Sequence, residues 1–227
     1  LTNSLTKIPL ALIKFAGKLF LKSSLLISLS AVPILSHAQF LKKFDRQTVE
    51  EFSEDRNPAL TKSMQLVSNT TNYLCLGVPA SIIVKGLLSH DRSTVKKGLF
   101  IVETIGISTA ITLSTKYIVN RERPFVNNPS VIKASDGGGP SFPSGHTSEA
   151  FATATALSID YPKWYVIVPS FAWAGTVGFS RMYLGVHYPT DVIAGAIVGS
   201  GSAFLSYKLN KWIRAEKKRR KQVAIPE

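Results

Sequence analysis

Five apolar stretches with short polar connections constrain this chain more than any other feature. They run over Tyr73–Leu88, Gly98–Val119, Ser148–Ile159, Trp164–Phe179 and Val192–Trp212. None shows the alternation of apolar and polar residues that marks a half-buried strand. Their Gly, Ala, Ser and Thr content lets helices approach one another closely. The implied fold class is all-α: a membrane-embedded helical bundle of about five or six helices. The second and last stretches reach the ~20 residues needed to cross a bilayer, and the other three are short. A tightly packed soluble bundle would use the same small residues, so the stretches alone leave both settings open.

The placement of charge separates the two settings. Charged residues make up 18% of the chain, with a net charge of +13, against ~25% charged residues in ordinary soluble domains. If the stretches are antiparallel spans, their connections alternate between two sides. One side receives His90 to Lys97, the turn Asp160–Lys163, and a tail with Lys211, Arg214, Lys217, Lys218, Arg219, Arg220 and Lys221. The other receives residues 39–72, 120–147 and 180–191. An excess of Lys and Arg marks the side retained in the cytoplasm. The expected location is a bacterial inner membrane with the second side in the periplasm; the alternative is a soluble periplasmic protein. The tail is then topological or lipid-facing, and no nucleic-acid partner is called for.

Ahead of the core, Lys7, Lys14, Lys18 and Lys22 precede an apolar run Leu25–Leu35 and then Ser36-His37-Ala38. Basic, apolar, then small-x-small is the order of a secretory signal; an uncleaved first membrane helix is the other reading. The expected organisation is a signal peptide or first membrane helix over 1–38, an amphipathic periplasmic segment over 39–72, a helical core over 73–212, and a basic cytoplasmic tail over 213–227. Phe40, Phe44 and Phe52 recur at helical spacing in the second segment, and Asn57-Pro58 ends that helix. Cys75 is the single cysteine, so an intramolecular disulfide is excluded. No Cys/His spacing suggests a metal site, and His37 and His90 are assigned no role.

Three polar segments carry chemistry. They are Lys116-x6-Arg123-Pro124, Pro143-Ser144-Gly145-His146, and Ser180-Arg181-x5-His187-x3-Asp191. In the alternating layout all three fall on the periplasmic side, a convergence that comes from charge and hydropathy alone. Lys116, Arg123 and Arg181 border apolar segments without a matching run of acids, so they call for an anionic partner. An arginine fork matches phosphate oxygens, and lysine adds a point charge. Ser144 and Gly145 stand where a helix begins, and free amides there favour an anion. His146 and His187 can donate, accept or attack near neutral pH. Asp191 can hold one ring nitrogen of His187 and free the other.

Together these segments resemble the signature of the type 2 phosphatidic acid phosphatase superfamily, and every defining position is matched. The resemblance covers roughly Tyr73 to Trp212. It implies a phosphatase that acts on a phosphate monoester or diphosphate of a lipid or isoprenoid, without metal or other cofactor. It implies further that His187 attacks phosphorus and forms a phosphohistidine, that Asp191 orients it, and that His146 protonates the leaving oxygen. Lys116, Arg123, Ser144, Gly145 and Arg181 would bind the phosphoryl oxygens. A soluble acid phosphatase for small phosphomonoesters is the alternative. A vanadium haloperoxidase would need a larger chain, and a non-enzymatic binding protein would not need intact catalytic motifs. The sequence names neither the substrate nor the oligomeric state.

Overall fold

A computed structural model describes residues 39–223, so the expected signal or first membrane helix over 1–38 lies outside the described residues. The chain divides after Phe44 into two compact units. Residues 39–44 of the first unit are helical. The second unit contains α1 (45–54), α2 (Pro58–Leu88), α3 (Arg92–Val119), the single turn α4 (Pro124–Asn127), α5 (Gly145–Asp160), α6 (Trp164–Tyr183) and α7 (Pro189–Val223). No strand occurs among the described residues, so the all-α expectation holds.

Local chemistry sets the helix starts. Asn57 caps α2, its Oδ1 accepting from the amides of Ala59 at 2.9 Å and Leu60 at 3.2 Å. Pro58 follows in the first turn, where its missing N–H costs nothing. Asp91 caps α3 in the same way, accepting from the Ser93 amide at 2.8 Å. At the other end of α3, Asn120 adopts a left-handed conformation with φ 46° and returns its N–H to the Lys116 carbonyl.

Two boundaries differ from the sequence expectation. The break expected between residues 72 and 73 falls inside α2, which runs unbroken from Pro58. The polar run Ser68-Asn69-Thr70-Thr71-Asn72 hid the helix. Ser68 and Thr71 are fully buried against the bundle, and Thr70 Oγ1 donates back to the Val67 carbonyl. The break expected after Trp212 likewise falls inside α7, which continues to Val223. Among the described residues three helices, α2, α3 and α7, are long and apolar enough to cross a membrane, each with a mean hydropathy of 1.4. Only 17%, 33% and 28% of their apolar windows are buried inside the protein. Leu76, Leu88, Ile118 and Ile197 all point outward. Each large apolar side chain exposed to water would forgo about 1.5–3 kcal/mol, so these faces fit lipid and not solvent.

The centre of the bundle is α5, which packs on α7, α6, α3 and α2. Ala150, Ala152, Ala154 and Ala156 are completely buried. The closest approach is to α7. A Cβ added at Gly199 would lie 2.2 Å from the Ser148 carbonyl oxygen, and one at Gly195 would lie 2.7 Å from that of Ser144. Gly199→Val is therefore expected to force α5 and α7 apart at a cost of about 3 kcal/mol. Thermal unfolding in detergent measures this, and an unchanged midpoint would contradict the packing described.

In α1, Asp45, Val49 and Ser53 form the buried face, and Phe52 meets Phe179 and Tyr183 at ring-centroid distances of 5.5 and 5.8 Å. Of the three phenylalanines expected on the apolar face, Phe52 packs inward, while Phe40 and Phe44 are exposed residues of the first unit.

Candidate active site

The C-terminal end of α3, the N-terminal ends of α5 and α7, and the C-terminal end of α6 meet at one end of the bundle. The loop between α4 and α5 closes over them. This topology gathers the three polar segments of the sequence.

Gly185, with φ +72°, makes the turn that leads from α6 to His187. A Cβ at that position would lie 2.5 Å from the Ile132 carbonyl oxygen, so only glycine fits. His187 follows at 2% exposure, and Pro189 opens α7 behind it. His187 Nε2 faces Arg123 Nη1 at 3.3 Å. Arginine can only donate, so Nε2 carries the lone pair and Nδ1 the proton, a tautomer assigned from the network. On the Nδ1 side Asp191 Oδ2 lies at 3.5 Å and Ser141 Oγ at 3.4 Å, and Ser141 hydrogen-bonds Asp191 Oδ2. The Ser141 hydroxyl thus bridges carboxylate and imidazole. Burial pushes the His187 imidazole down to about 3; Asp191 opposes the fall and Arg123 adds to it. The ring is neutral throughout the physiological range.

Three cations surround this ring. Arg123, 6% exposed, donates to the carbonyls of Gly138, Gly139 and Val186 at 2.9–3.0 Å. Arg181, 2% exposed, donates to Ser68, Ser135 and the Asp136 carbonyl, while its buried Nε has no partner. Lys116 Nζ donates to the Pro140 carbonyl at 2.7 Å. None of the three forms an ion pair among the described residues. Held by neutral carbonyls and hydroxyls, with Asp191 and Asp136 near but not paired to them, the three cations keep an excess of positive charge, which suits a phosphate dianion.

Ser144 precedes α5 and is fully buried. Its amide donates to the Asp191 carbonyl at 3.0 Å, and its side chain caps no helix amide. A Cβ at Gly145 would meet nothing within 4 Å, so the first turn of α5 faces open space. His146 is half-buried in that turn. Burial pushes its imidazole down to about 4, with Arg181, Arg123 and Lys116 adding to the fall. All eight residues singled out in the sequence therefore come together. Among the described residues, no group of three or more His, Cys, Asp or Glu side chains is placed to hold a metal ion.

Three contributors escaped the sequence reading. Arg121 pairs with Asp191 Oδ1 at 2.7 Å and with Asp45 Oδ2 at 2.8 Å, and its guanidinium stacks 4.0 Å from the Tyr188 ring centroid. Asp45, from α1, also accepts from the Thr190 amide at 2.9 Å and so caps α7 from outside. Ser141 is the bridge described above. Arg121 lies two residues before Arg123 on the far side of the αL turn at Asn120, and spacing alone does not distinguish their roles. Asp45 lies more than seventy residues away in sequence, as the Arg121 pairing shows.

Residues 97–215 match the PAP2 superfamily. The chain belongs to that family. Among relatives of the PAP2 chain, the undecaprenyl-diphosphatase of Sulfolobus acidocaldarius is 36% identical over 129 residues, 56% of this chain and 62% of the relative. The lipid A 4'-phosphatase of Bacteroides thetaiotaomicron is 36% identical over 88 residues, 39% of each. The PAP2 chain thus spans less than two thirds of the length of these curated relatives. The transmembrane PAP2 type phosphatidylglycerolphosphate phosphatase from Bacillus subtilis shares the fold, with a TM-score of 0.67 and 24% identity. It covers 84% of this chain and 96% of that one. That likeness is one of fold; the outward apolar faces of α2, α3 and α7 make these three helices of the PAP2 chain candidate membrane spans by their own length and composition.

Proposed function

We propose that the protein is a lipid phosphatase, hydrolysing a phosphate monoester or diphosphate through a phosphohistidine at His187. The observation that carries this reading is His187 Nε2 held 3.3 Å from Arg123 Nη1, at the end of the bundle where Lys116 and Arg181 also lie without a salt-bridge partner among the described residues. In the first half-reaction Nε2 attacks phosphorus in line. The bond from phosphorus to the lipid oxygen breaks, and His146 gives that oxygen its proton. In the second, His146 takes a proton from water, the hydroxide attacks phosphorus, and the P–N bond breaks to release inorganic phosphate. Lys116, Arg123 and Arg181 spread their charge over the phosphoryl oxygens, joined by the amides at the start of α5. Asp191, through Ser141, stabilises the positive charge that develops on the ring during attack. A phosphate dianion among the cations offsets their share of the push on His146 and so raises its affinity for the proton it must deliver, against the larger effect of burial.

The names of the relatives support a lipid-borne phosphate as substrate, and so do the outward apolar faces beside the site. A phosphate-release panel of phosphatidic acid, phosphatidylglycerol phosphate, undecaprenyl diphosphate, lipid A and soluble esters identifies the preferred member. Activity is expected to persist in EDTA and to be blocked by vanadate; loss on chelation with recovery by magnesium would overturn the mechanism. Phosphate from labelled substrate should remain on the wild-type chain after alkaline denaturation and be absent from His187→Ala. His146→Ala should slow alkyl phosphates at least ~100-fold more than activated aryl phosphates, because only the former need a protonated leaving oxygen.

The catalytic end is proposed to face the periplasm, since the Lys- and Arg-rich connections lie at the opposite end. A lipid phosphate could then reach Arg123 from the outer leaflet with its chains still in the bilayer. Alkaline phosphatase fused after Glu227 should be inactive; an active fusion would invert the topology.

A further inference from the structure

At the end of the bundle away from the active site, α3, α5 and α7 enclose a second cavity of about 390 Å³. Lys96 and Lys97 line it from α3, Asp160 from the end of α5, and Lys211 and Arg214 from α7, over a floor that includes Phe100. Four cations thus face one acid. Lys97 is committed, donating to the Asp160 carbonyl at 3.3 Å and lying 4.3 Å from the Tyr161 ring centroid. Lys96, Lys211 and Arg214 make no hydrogen bond or ion pair with described residues. Asp160 Oδ2 is buried and has no hydrogen-bond partner. Glu103 is occupied by Asn210 Nδ2 at 2.6 Å.

The position of this cavity indicates its occupant. The helical rise from Lys116 in the active site to Lys96 is about 30 Å, the thickness of a bilayer's hydrocarbon core. If the active site lies at one membrane surface, the cavity lies at the other. Trp164 and Trp212, 76% and 66% exposed, mark the same end, as aromatic residues do at a lipid–water interface. Retaining positive charge on one side needs only basic connections; it does not need cations from two helices, with a buried acid from a third, to line one pocket. We infer that this cavity is a binding site for an anionic phospholipid headgroup of the leaflet opposite the active site. The phosphate is held by Lys96, Lys211 and Arg214, and a headgroup hydroxyl donates to Asp160 Oδ2. Phosphatidylglycerol carries both groups, and phosphatidylcholine lacks the donor and the net charge.

The test is native mass spectrometry of the full chain, released from nanodiscs of mixed phosphatidylglycerol and phosphatidylcholine. Wild type should retain phosphatidylglycerol at least ~10-fold over phosphatidylcholine. The triple variant Lys96→Gln, Lys211→Gln, Arg214→Gln should lose that preference with an unchanged thermal midpoint. The charge-preserving pair Lys96→Arg, Lys211→Arg should keep it, and single Arg214→Gln should weaken it several-fold, which keeps the test open if the triple variant fails to fold. Equal retention of the two lipids by wild type, or undiminished preference in the triple and single variants, would overturn the inference. Displacement of the lipid by sn-glycerol 3-phosphate at equal concentration would also overturn it, by showing a site for a soluble anion. The readout does not depend on phosphatase activity, so it stands or falls apart from the proposed reaction.

Discussion

His187→Ala is expected to lower phosphate release by at least about four orders of magnitude, with helical content and thermal midpoint close to wild type. The side chain is 2% exposed, yet its ring bonds are few: one from Arg123 to Nε2 and one toward Ser141. Removing it leaves a small polar cavity and frees Ser141 to remain on Asp191. Without Nε2 the phosphoryl group has nothing to transfer to, and only direct attack by water remains. Steady-state release from the preferred substrate measures the loss, and near-wild-type turnover would remove His187 from the proposed role. Asp191→Asn differs in kind. Asp191 is fully buried and accepts from Arg121, Ser141 and the Tyr188 amide. An amide there places a donor where three donors converge, so both turnover and stability should fall.

The second large effect falls on a residue outside the motifs. Arg121→Leu should cost about 3 kcal/mol or more, because it strands two buried carboxylates, Asp45 and Asp191, at 4% and 0% side-chain exposure. The thermal midpoint in detergent should drop by roughly 10 °C. Turnover should fall with it, since Asp191 loses the partner that fixes its Oδ1. Arg121→Lys should recover part of the loss: it restores charge, but a single ammonium cannot bridge both acids and stack on Tyr188. Asp45→Ala combined with Arg121→Leu should cost less than the sum of the single losses, as expected for members of one network. Additive losses, or an unshifted midpoint in Arg121→Leu, would show that the bridge carries no weight.

How these residues came to be seen differs from case to case. His146, His187 and Asp191 were legible because their spacing is local: each sits within a few residues of a helix start that proline, serine or glycine announces. Lys116, Arg123 and Arg181 were legible because a cation beside an apolar run is costly without an anion. The start of α2 was not legible. A run of Ser, Asn and Thr reads as loop in one dimension, and only burial against the bundle turns its hydroxyls into packing surface. The basic residues at the far end were legible as charge, and their arrangement around a cavity was not.

The sequence by itself determined the all-helical class and the family, and brought the candidate site residues to notice, because periodicity and short motif spacings are properties of neighbouring residues. Only the tertiary structure decided what supports that site. It brings Asp45 and Arg121 together across more than seventy residues, places Ser141 between Asp191 and His187, and presses Gly195 and Gly199 against the backbone of α5. Such contacts depend on the distance between segments in space. No local pattern encodes that distance until the apolar faces have packed.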